Sequence, residues 1–335
     1  MTDKKINIGI MGFGHIGRYI YLLAQKNDKF NIKCISDIGK PEILHYLLNN
    51  EPRAKKSYDL DGNYLVSNDY KTRIIHGVEP GDVPWDVFDV DWVIDSTGKY
   101  LSKRSLKRHI DSGAKRVVLT NLPTDDIDNV IIDGVNNNKI ARDDKIISAG
   151  SSTTNALALM LNVLNDEFGI EYANLTSIHS YTSDQPSQDK AGISFRRSRS
   201  AAENIIPNDS KSGEFVEKII PELKGKIISS TLNVPVQFGS LLDLTTVLKS
   251  DNVSVDQINS TIDKYVEKFP NLFKSVRDPI VSSDVKGMTE SIVFDQMGTL
   301  KIKDNMFKTL SWYDNGYNHA LRVLDLISNY YRMGL

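Results

Sequence analysis

Apolar residues in the N-terminal part of the chain alternate between short strand-like runs and longer runs with helical spacing. Apolar residues alternate along 6–10 and predict a short strand, and the apolar residues of 16–23 recur at the intervals of a helix face. Further strand-like runs cover 32–35, 91–94, 116–119 and 145–147, and a helix is predicted over 102–112, ending at Gly113. Strands that alternate with helices predict a doubly wound parallel sheet.

The pattern changes after residue 152. The predicted elements there are, in order, a long apolar helix over about 154–164, a polar stretch over 181–204, strand-like runs around 227–236 and 241–248, a helix that starts with a capping box of Ser254 and Gln257, and an amphipathic helix over 320–331. These longer strand-like runs predict a second domain with a mixed or antiparallel sheet.

A glycine-rich turn joins the first predicted strand to the first predicted helix. Gly12, Gly14 and Gly17 have the spacing of a dinucleotide-binding turn, and Asp37 lies twenty residues beyond Gly17, at the end of the second strand. A carboxylate there accepts hydrogen bonds from the adenosine ribose and repels a 2′-phosphate, which favours NAD over NADP. The alternative is that the glycines only permit a tight turn and that Asp37 caps a loop.

Composition narrows the possible functions. A formal net charge of -2 over 335 residues gives no basic surface for nucleic acid or acidic lipid. Cys34 is the only cysteine, so no intramolecular disulfide can form, and no segment has the length of a membrane span. The N-terminus enters a strand rather than an apolar signal segment. We therefore expect a cytoplasmic protein that acts on small molecules, without a metal site.

Segments spread along nearly the whole chain resemble signature segments of the glyceraldehyde-3-phosphate dehydrogenase family. They are residues 12–18, 96–98, 134–136, 151–155, 179–182, 196–199, 201–207 and 312–315. The resemblance implies an α/β fold: a Rossmann-type NAD-binding domain over 1–151, completed by a C-terminal helix over 317–335, and an α+β catalytic domain over 152–316. It also implies a homotetramer that works in glycolysis. In that reaction a thiolate attacks a phosphorylated aldehyde, NAD accepts a hydride, and inorganic phosphate cleaves a thioester.

Ser152 stands where the family has its nucleophilic cysteine. A thiol has a pKa of about 8.5 that is easily lowered, whereas an alcohol needs far stronger base assistance, so we expect this form to be impaired. Taken outside the signature, Ser152 would be a helix cap. Two origins of the serine stay open, a substitution made to trap a complex and a natural divergence. A noncatalytic NAD-binding protein with a regulatory or assembly role is the alternative function.

The resemblance also assigns the base and the cofactor residues. His179 would hold the nucleophile as an ion pair and act as general base, although a histidine at the end of an apolar strand is usually structural. Asn315 would fix the nicotinamide carboxamide, and its alternative is an ordinary turn residue. Tyr100 would flank the adenine, and packing would explain it equally well. The residues expected at the cofactor are Gly12, Phe13, Gly14, His15, Ile16, Gly17, Asp37, Ser96, Thr97, Gly98, Tyr100, Asn121 and Asn315.

Two anions, the substrate phosphate and inorganic phosphate, are expected in the second domain. The residues expected to hold them are Ser151, Thr153, Thr182, Arg196, Ser210, Lys211 and Asn233. Asn233 replaces an expected arginine and Lys211 an expected glycine, so one cation is lost and another gained. Losing a charged hydrogen bond costs about 1.5–3 kcal/mol, enough to change the preferred aldehyde, for example to erythrose 4-phosphate. Lys211 could instead be a solvated loop lysine, and Arg196 could belong to a subunit interface.

Overall fold

The computed structural model describes residues 5–54, 57–67, 70–192 and 194–334. Contacts divide the chain into two compact units. Unit 1 comprises Met1–Ile131, Asn138–Gly150 and Ala320–Leu335, and unit 2 comprises Ile132–Asn137 and Ser151–His319. The main change from one unit to the other therefore falls between Gly150 and Ser151.

Unit 1 is built around a largely parallel sheet. Its elements are β1 (Ile6–Met11), α1 (His15–Ala24), β2 (Phe30–Asp37), α2 (Pro41–Asn49), β3 (Asp59–Asp61), β4 (Tyr64–Ser67), β5 (Tyr70–His76), β6 (Trp92–Asp95), α3 (Lys103–Asp111), β7 (Arg116–Leu119), β8 (Asn129–Val130) and β9 (Ile146–Ser148). The strands pair in the order β3-β4-β5-β2-β1-β6-β7-β9-β8. The run from β5 to β9 is parallel throughout and has the strand order of a Rossmann sheet, which confirms the predicted doubly wound fold.

The burial of the central unit 1 strands explains why their apolar residues allowed them to be predicted from the sequence. All six residues of β1 and all four of β6 are buried, as expected for strands in the middle of a parallel sheet with both faces covered. The predicted helix over 102–112 is α3, which Ser102 caps by accepting the Ser105 N–H at 3.2 Å. Helix α2 and the β3–β4 hairpin were not predicted, because their short segments mix polar and apolar residues without clear periodicity.

Unit 2 contains a mixed sheet with helices packed on it. Its elements are α4 (Ser152–Phe168), β10 (Ile170–Ser180), β11 (Ile206–Asp209), α5 (Ser212–Ile219), β12 (Ile227–Val234), β13 (Ser240–Leu248), α6 (Val255–Lys268), β14 (Phe273–Val276), β15 (Ile292–Ile302) and β16 (Met306–Tyr313). The strands pair in the order β11-β12-β10-β13-β16-β15-β14, with parallel pairs at β10–β12 and β14–β15. The predicted mixed sheet is confirmed. Helix α7 (Tyr317–Arg332) starts in unit 2 and continues into unit 1.

Local signals in unit 2 also agree with the structure. Ser254 and Gln257 form the predicted capping box: the serine Oγ accepts the Gln257 N–H at 3.1 Å, and the glutamine Oε1 accepts the Ser254 N–H at 2.7 Å. Helix α4 is longer than predicted at both ends. It stops at Gly169, whose φ of +65° favours glycine.

Candidate functional site

The glycine turn of unit 1 follows β1 directly. Gly12 has a φ of +89°, and a Cβ at Gly17 would lie only 2.1 Å from the Gly12 carbonyl oxygen, so both positions require glycine. Apart from its chain neighbours, no described residue has an atom within 4 Å of the position that a Gly14 Cβ would take, and Gly14 precedes α1 without a side-chain cap. Open space beside the amide groups of a first helical turn fits the pyrophosphate of a dinucleotide.

The other residues expected in this turn point in different directions. Phe13 is buried and packs edge-on against Tyr21, with ring centroids 5.6 Å apart. His15 and Ile16 are half-buried in the first turn of α1, where the His15 ring lies 4.3 Å from the ring of Tyr19. Phe13 therefore contributes its backbone to the turn, whereas His15 and Ile16 lie at its partly exposed side.

Asp37, at the end of β2, contacts the glycine turn. Its Oδ2 accepts the Phe13 N–H at 2.6 Å and its Oδ1 accepts the Gly39 N–H at 2.7 Å. Asp37 thus caps its own turn and is also anchored beside the proposed cofactor position. Each carboxylate oxygen keeps acceptor capacity for a ribose hydroxyl.

The Ser96–Thr97–Gly98 turn lies on the other side of Gly12. Ser96 Oγ donates to the Gly12 carbonyl at 2.7 Å, and a Cβ at Gly12 would lie 2.8 Å from the Thr97 backbone nitrogen. Asn121 neighbours this turn, with its Nδ2 3.9 Å from the position of a Gly98 Cβ. Tyr100 donates from its hydroxyl to the Val78 carbonyl at 2.6 Å and packs against the core of unit 1. Unit 1 therefore brings the predicted cofactor residues to one edge of its sheet.

In unit 2, the N-terminus of α4 presents Ser152. The cap is Ser151, whose Oγ accepts the Thr154 N–H at 3.1 Å, so the alternative interpretation of Ser152 as the helix cap is wrong. Ser152 is the first helical residue and is half-buried, and its hydroxyl has no hydrogen-bond partner among the residues that the structure describes. The positive end of the helix dipole favours negative charge on a side chain at this position.

A hydroxyl cluster, consisting of Tyr313, Thr153 and Ser177, joins the start of α4 to the sheet. The buried Tyr313 hydroxyl shares hydrogen bonds with Thr153 Oγ1 at 2.8 Å and with Ser177 Oγ at 3.0 Å. Burial raises the pKa of Tyr313, so the phenol stays protonated. Thr153 adjoins residue 152 in the helix, and Ser177 lies two residues before His179 on the same strand.

His179 lies near the end of β10, and its ring meets the Tyr313 ring edge-on with centroids 6.2 Å apart. Its Nδ1 is 2.6 Å from the Ser180 carbonyl oxygen, and since a carbonyl only accepts, Nδ1 carries the proton. Nε2 is then left with a lone pair. Burial, together with the charge of Arg197, lowers the pKa of His179, although the Ser180 bond and Asp184 act in the opposite direction. The imidazole is therefore neutral at pH 7 and can accept a proton.

Asn315 follows the end of β16. The turn here is held by the neighbouring Asp314, whose Oδ1 accepts the N–H groups of Gly316 and Tyr317, each at 2.8 Å. Asn315 is half-buried, and its side chain makes no hydrogen bond to any described residue. The Asn315 side-chain amide is therefore available to bind a ligand, because Asp314 makes the hydrogen bonds of the turn.

Thr182 belongs to a charged cluster that the sequence did not identify. Its Oγ1 donates to Asp184 Oδ1 at 2.5 Å, and the second Asp184 oxygen pairs with the guanidinium of Arg197. Arg196, the arginine expected to hold phosphate, is exposed. The run 196–199 contains three arginines, and its sequence pattern does not indicate which of them pairs with Asp184.

The remaining anion-site candidates surround the start of α5 and the end of β12. Thr154 Oγ1 donates to Ser212 Oγ at 3.2 Å, which brings together the N-termini of α4 and α5. Ser210 and the exposed Lys211 immediately precede α5, and Ser210 Oγ accepts the Ser212 N–H at 3.4 Å. These groups therefore lie close to the capping residue of α4.

Asn233 is buried opposite His179 in the β10–β12 pairing. Asn208 donates from its amide to Asn233 Oδ1, and Asn233 Nδ2 donates to the Ser180 carbonyl at 3.4 Å. A pair of neutral amides therefore lies beside the histidine, at the position where the family resemblance places an arginine. Neither Asn208 nor Tyr313 was among the predicted site residues, since only the folded register brings them to His179.

Within the residues described, no three histidine, cysteine or acidic side chains are grouped so as to hold a metal ion. Among the described residues, each helix is too short or too polar to cross a bilayer. Cys34 is buried on β2, and burial raises its pKa to about 12, so its thiol is unsuited to act as a nucleophile.

Comparisons with known proteins agree with this arrangement. Residues 6–103 match the family model for the glyceraldehyde 3-phosphate dehydrogenase NAD binding domain, and residues 151–315 match the model for its C-terminal domain. Glyceraldehyde-3-phosphate dehydrogenase of Borreliella burgdorferi is 37% identical over 96% of this chain and 98% of its own length. That of Mycolicibacterium smegmatis is also 37% identical with the same coverage, and glyceraldehyde-3-phosphate dehydrogenase 1 of Bacillus subtilis is 33% identical over 98% and 99%. The chain therefore belongs to the glyceraldehyde-3-phosphate dehydrogenase family and is an NAD-binding oxidoreductase of that type.

Proposed function

We propose that this chain has the active site of a phosphorylating aldehyde dehydrogenase for glyceraldehyde 3-phosphate or a related small phosphorylated aldehyde, with position 152 as the nucleophile and His179 as the base. One observation carries the proposal: the Tyr313 hydroxyl bonds both to Thr153, which follows position 152, and to Ser177, which lies two residues before His179 on the same strand. The present serine impairs the reaction, because an alcohol is a far weaker nucleophile than a thiolate.

Each group in this site has a defined task. The α4 N-terminus stabilises negative charge at position 152, and the neutral Nε2 of His179 accepts a proton as the aldehyde carbon is oxidised. NAD, when bound, supplies the hydride acceptor. The residues proposed to hold it in unit 1 are the glycine turn, Asp37 and the Ser96–Gly98 turn. Asn315, in unit 2, keeps the role that the family resemblance implies, contact with the nicotinamide carboxamide, because its side chain makes no hydrogen bond to a described residue.

The anion sites are proposed at the start of α4 and α5. Amide groups at helix N-termini bind phosphate, and hydroxyls of Ser151, Thr153 and Ser210 lie at these two ends. Thr182 adds a further hydroxyl, and Arg196 and Lys211 remain the candidate cations because both are exposed. The buried Asn233 offers only a neutral amide, so a substrate such as erythrose 4-phosphate, with its anion placed differently, is also compatible.

The function is tested with the Ser152→Cys protein and a panel of aldehydes, each measured with and without inorganic phosphate. We expect NADH formation from glyceraldehyde 3-phosphate or a close relative, and turnover that depends on phosphate. Turnover that is unchanged when phosphate is omitted would contradict the phosphorylating assignment. Preference for erythrose 4-phosphate would retain the mechanism and change the substrate.

We also propose a cytoplasmic homotetramer that works in glycolysis. Two separate apolar surfaces support the assembly. On α2, Ile43 and Tyr46 are 53% and 64% exposed, and on the unit 2 sheet, Tyr172 and Ile228 are 60% and 73% exposed. Two different self-complementary surfaces suffice to close a tetramer. Sedimentation equilibrium should give about four times the chain mass of 37.6 kDa, and a monomer would contradict the proposal.

A noncatalytic NAD-binding protein is the second candidate, and Ser152 is the observation that favours it. This reading predicts that NAD binds to the native protein and that cysteine at position 152 yields no oxidation of any aldehyde in the panel. The two candidates therefore make opposite predictions for the same protein.

A further inference from the structure

We propose that His109 is a positioning residue for NAD: through Asp95 it fixes the Ser96–Thr97–Gly98 turn in the conformation that receives the cofactor. The inference rests on the cofactor site proposed above. It concerns a buried titratable side chain that has no part in the reaction at position 152.

His109 lies in the middle of a fully buried chain of hydrogen bonds. Trp85, His109 and Asp95 are each 0% exposed. Trp85 Nε1 is 3.2 Å from His109 Nδ1, and His109 Nε2 is 3.2 Å from Asp95 Oδ2. Because an indole N–H can only donate, Nδ1 must accept and Nε2 must carry the proton. The chain of bonds therefore selects one neutral tautomer, which donates to the carboxylate.

The second oxygen of Asp95 controls the cofactor turn. Asp95 Oδ1 accepts the Thr97 N–H at 3.0 Å and the Thr97 hydroxyl at 2.6 Å. The Thr97 backbone in turn lies against Gly12, where a Cβ would approach its nitrogen to 2.8 Å. A carboxylate that rotated or moved would therefore displace the backbone that borders the glycine turn.

Trp85 gives this chain of bonds a rigid support. The position of a Gly9 Cβ lies 2.5 Å from Trp85 Cζ3, so the indole rests directly on β1. The backbone N–H of Trp85 donates to the Ser112 carbonyl at 2.8 Å, just after α3. His109 is thus held between a fixed indole and Asp95, and its position decides where the carboxylate sits.

Replacing His109 with phenylalanine keeps most of the ring volume and removes both hydrogen bonds. A buried carboxylate that loses a donor must shift or find another partner. We expect His109→Phe to weaken NAD binding about tenfold or more, measured by titration calorimetry on the protein with its native Ser152. His109→Gln supplies an amide N–H toward Asp95 and should restore most of the affinity.

Trp85→Phe is the matched control. It removes the bond to Nδ1 but leaves the donation from Nε2 to Asp95, so it should lower the unfolding temperature with a smaller loss of NAD affinity than His109→Phe. Unchanged NAD affinity in His109→Phe, together with a lowered unfolding temperature, would show a structural role only and overturn the inference.

Thr97→Val provides a second route if His109→Phe does not fold. It removes the hydroxyl bond to Asp95 at the far end of the chain and should weaken NAD binding severalfold without a matching loss of stability. An unchanged affinity would overturn the inference. Failure of the unsubstituted protein to bind NAD would instead refute the proposed cofactor site itself, so the two failures are distinguishable.

Discussion

Replacing Ser152 with cysteine is expected to raise NADH formation from glyceraldehyde 3-phosphate by about a thousandfold or more, because removal of an enzymatic nucleophile typically costs at least that factor. The site is otherwise equipped for a thiolate. Residue 152 starts α4, where the helix dipole favours an anion, and Ser151 already performs the capping. Initial rates of the two proteins at the same NAD and aldehyde concentrations give the ratio directly.

Ser151→Cys is the matched control for this experiment. It places a thiol one residue away, but it removes the cap that accepts the Thr154 N–H and leaves serine at position 152. We expect no gain in rate and a small loss of stability.

If Ser152→Cys binds NAD and still oxidises no aldehyde, the noncatalytic interpretation is correct. The codon in the organism's gene separates the two origins of the serine, since a cysteine codon would identify a deliberate substitution.

Removal of His179 is expected to have the second largest effect. In the Ser152→Cys background, His179→Asn should lower turnover by a factor of about 10²–10⁴, the usual contribution of a positioned general base. Desolvation lowers the pKa of this histidine in the serine protein, which keeps Nε2 unprotonated at pH 7. In the serine protein Nε2 should therefore gain its proton, and lose its function as a base, only at a pH below the ordinary histidine pKa of about 6.5.

A cysteine thiolate at position 152 would oppose this shift, because a negative charge favours the imidazolium form. The acid limb of the rate profile should then lie closer to the ordinary histidine value. His45→Asn is a suitable control, since His45 lies on α2 and its Nε2 bonds to the Tyr58 carbonyl at 2.7 Å. It should leave turnover unchanged. Full activity in the His179→Asn protein would remove the histidine from the mechanism.

The parts of the fold that sequence could predict are those with local physical causes. Strand β1, the glycine turn and α1 follow from a buried apolar run, two glycines that admit no Cβ, and helical periodicity. The capping box of α6 is equally local, since both partners lie within one helical turn. The candidate roles of nucleophile, base and cofactor ligand came from the family resemblance, because no single segment indicates them.

Features that depend on the pairing of distant strands could not be predicted from the sequence. Tyr313 reaches Thr153 across 160 positions of the chain, and only the β13–β16 and β10–β13 pairings bring it to Ser177. Whether Arg196 or Arg197 forms an ion pair near Thr182 likewise depends on the fold of a polar loop. In the structure Asp184 pairs with Arg197. Ser151 and Ser152 are both good caps by composition, and backbone geometry alone decides between them.

The claim on which the account depends is that position 152 and His179 share one site. It is tested most directly by the pH dependence of alkylation of the Ser152→Cys thiol by iodoacetamide, compared with the same thiol in the Ser152→Cys/His179→Asn protein. The account predicts a reactive thiolate with a midpoint well below the free value of about 8.5, and a midpoint that moves upward when His179 is removed. Identical profiles in the two proteins, both with an ordinary thiol midpoint, would contradict it.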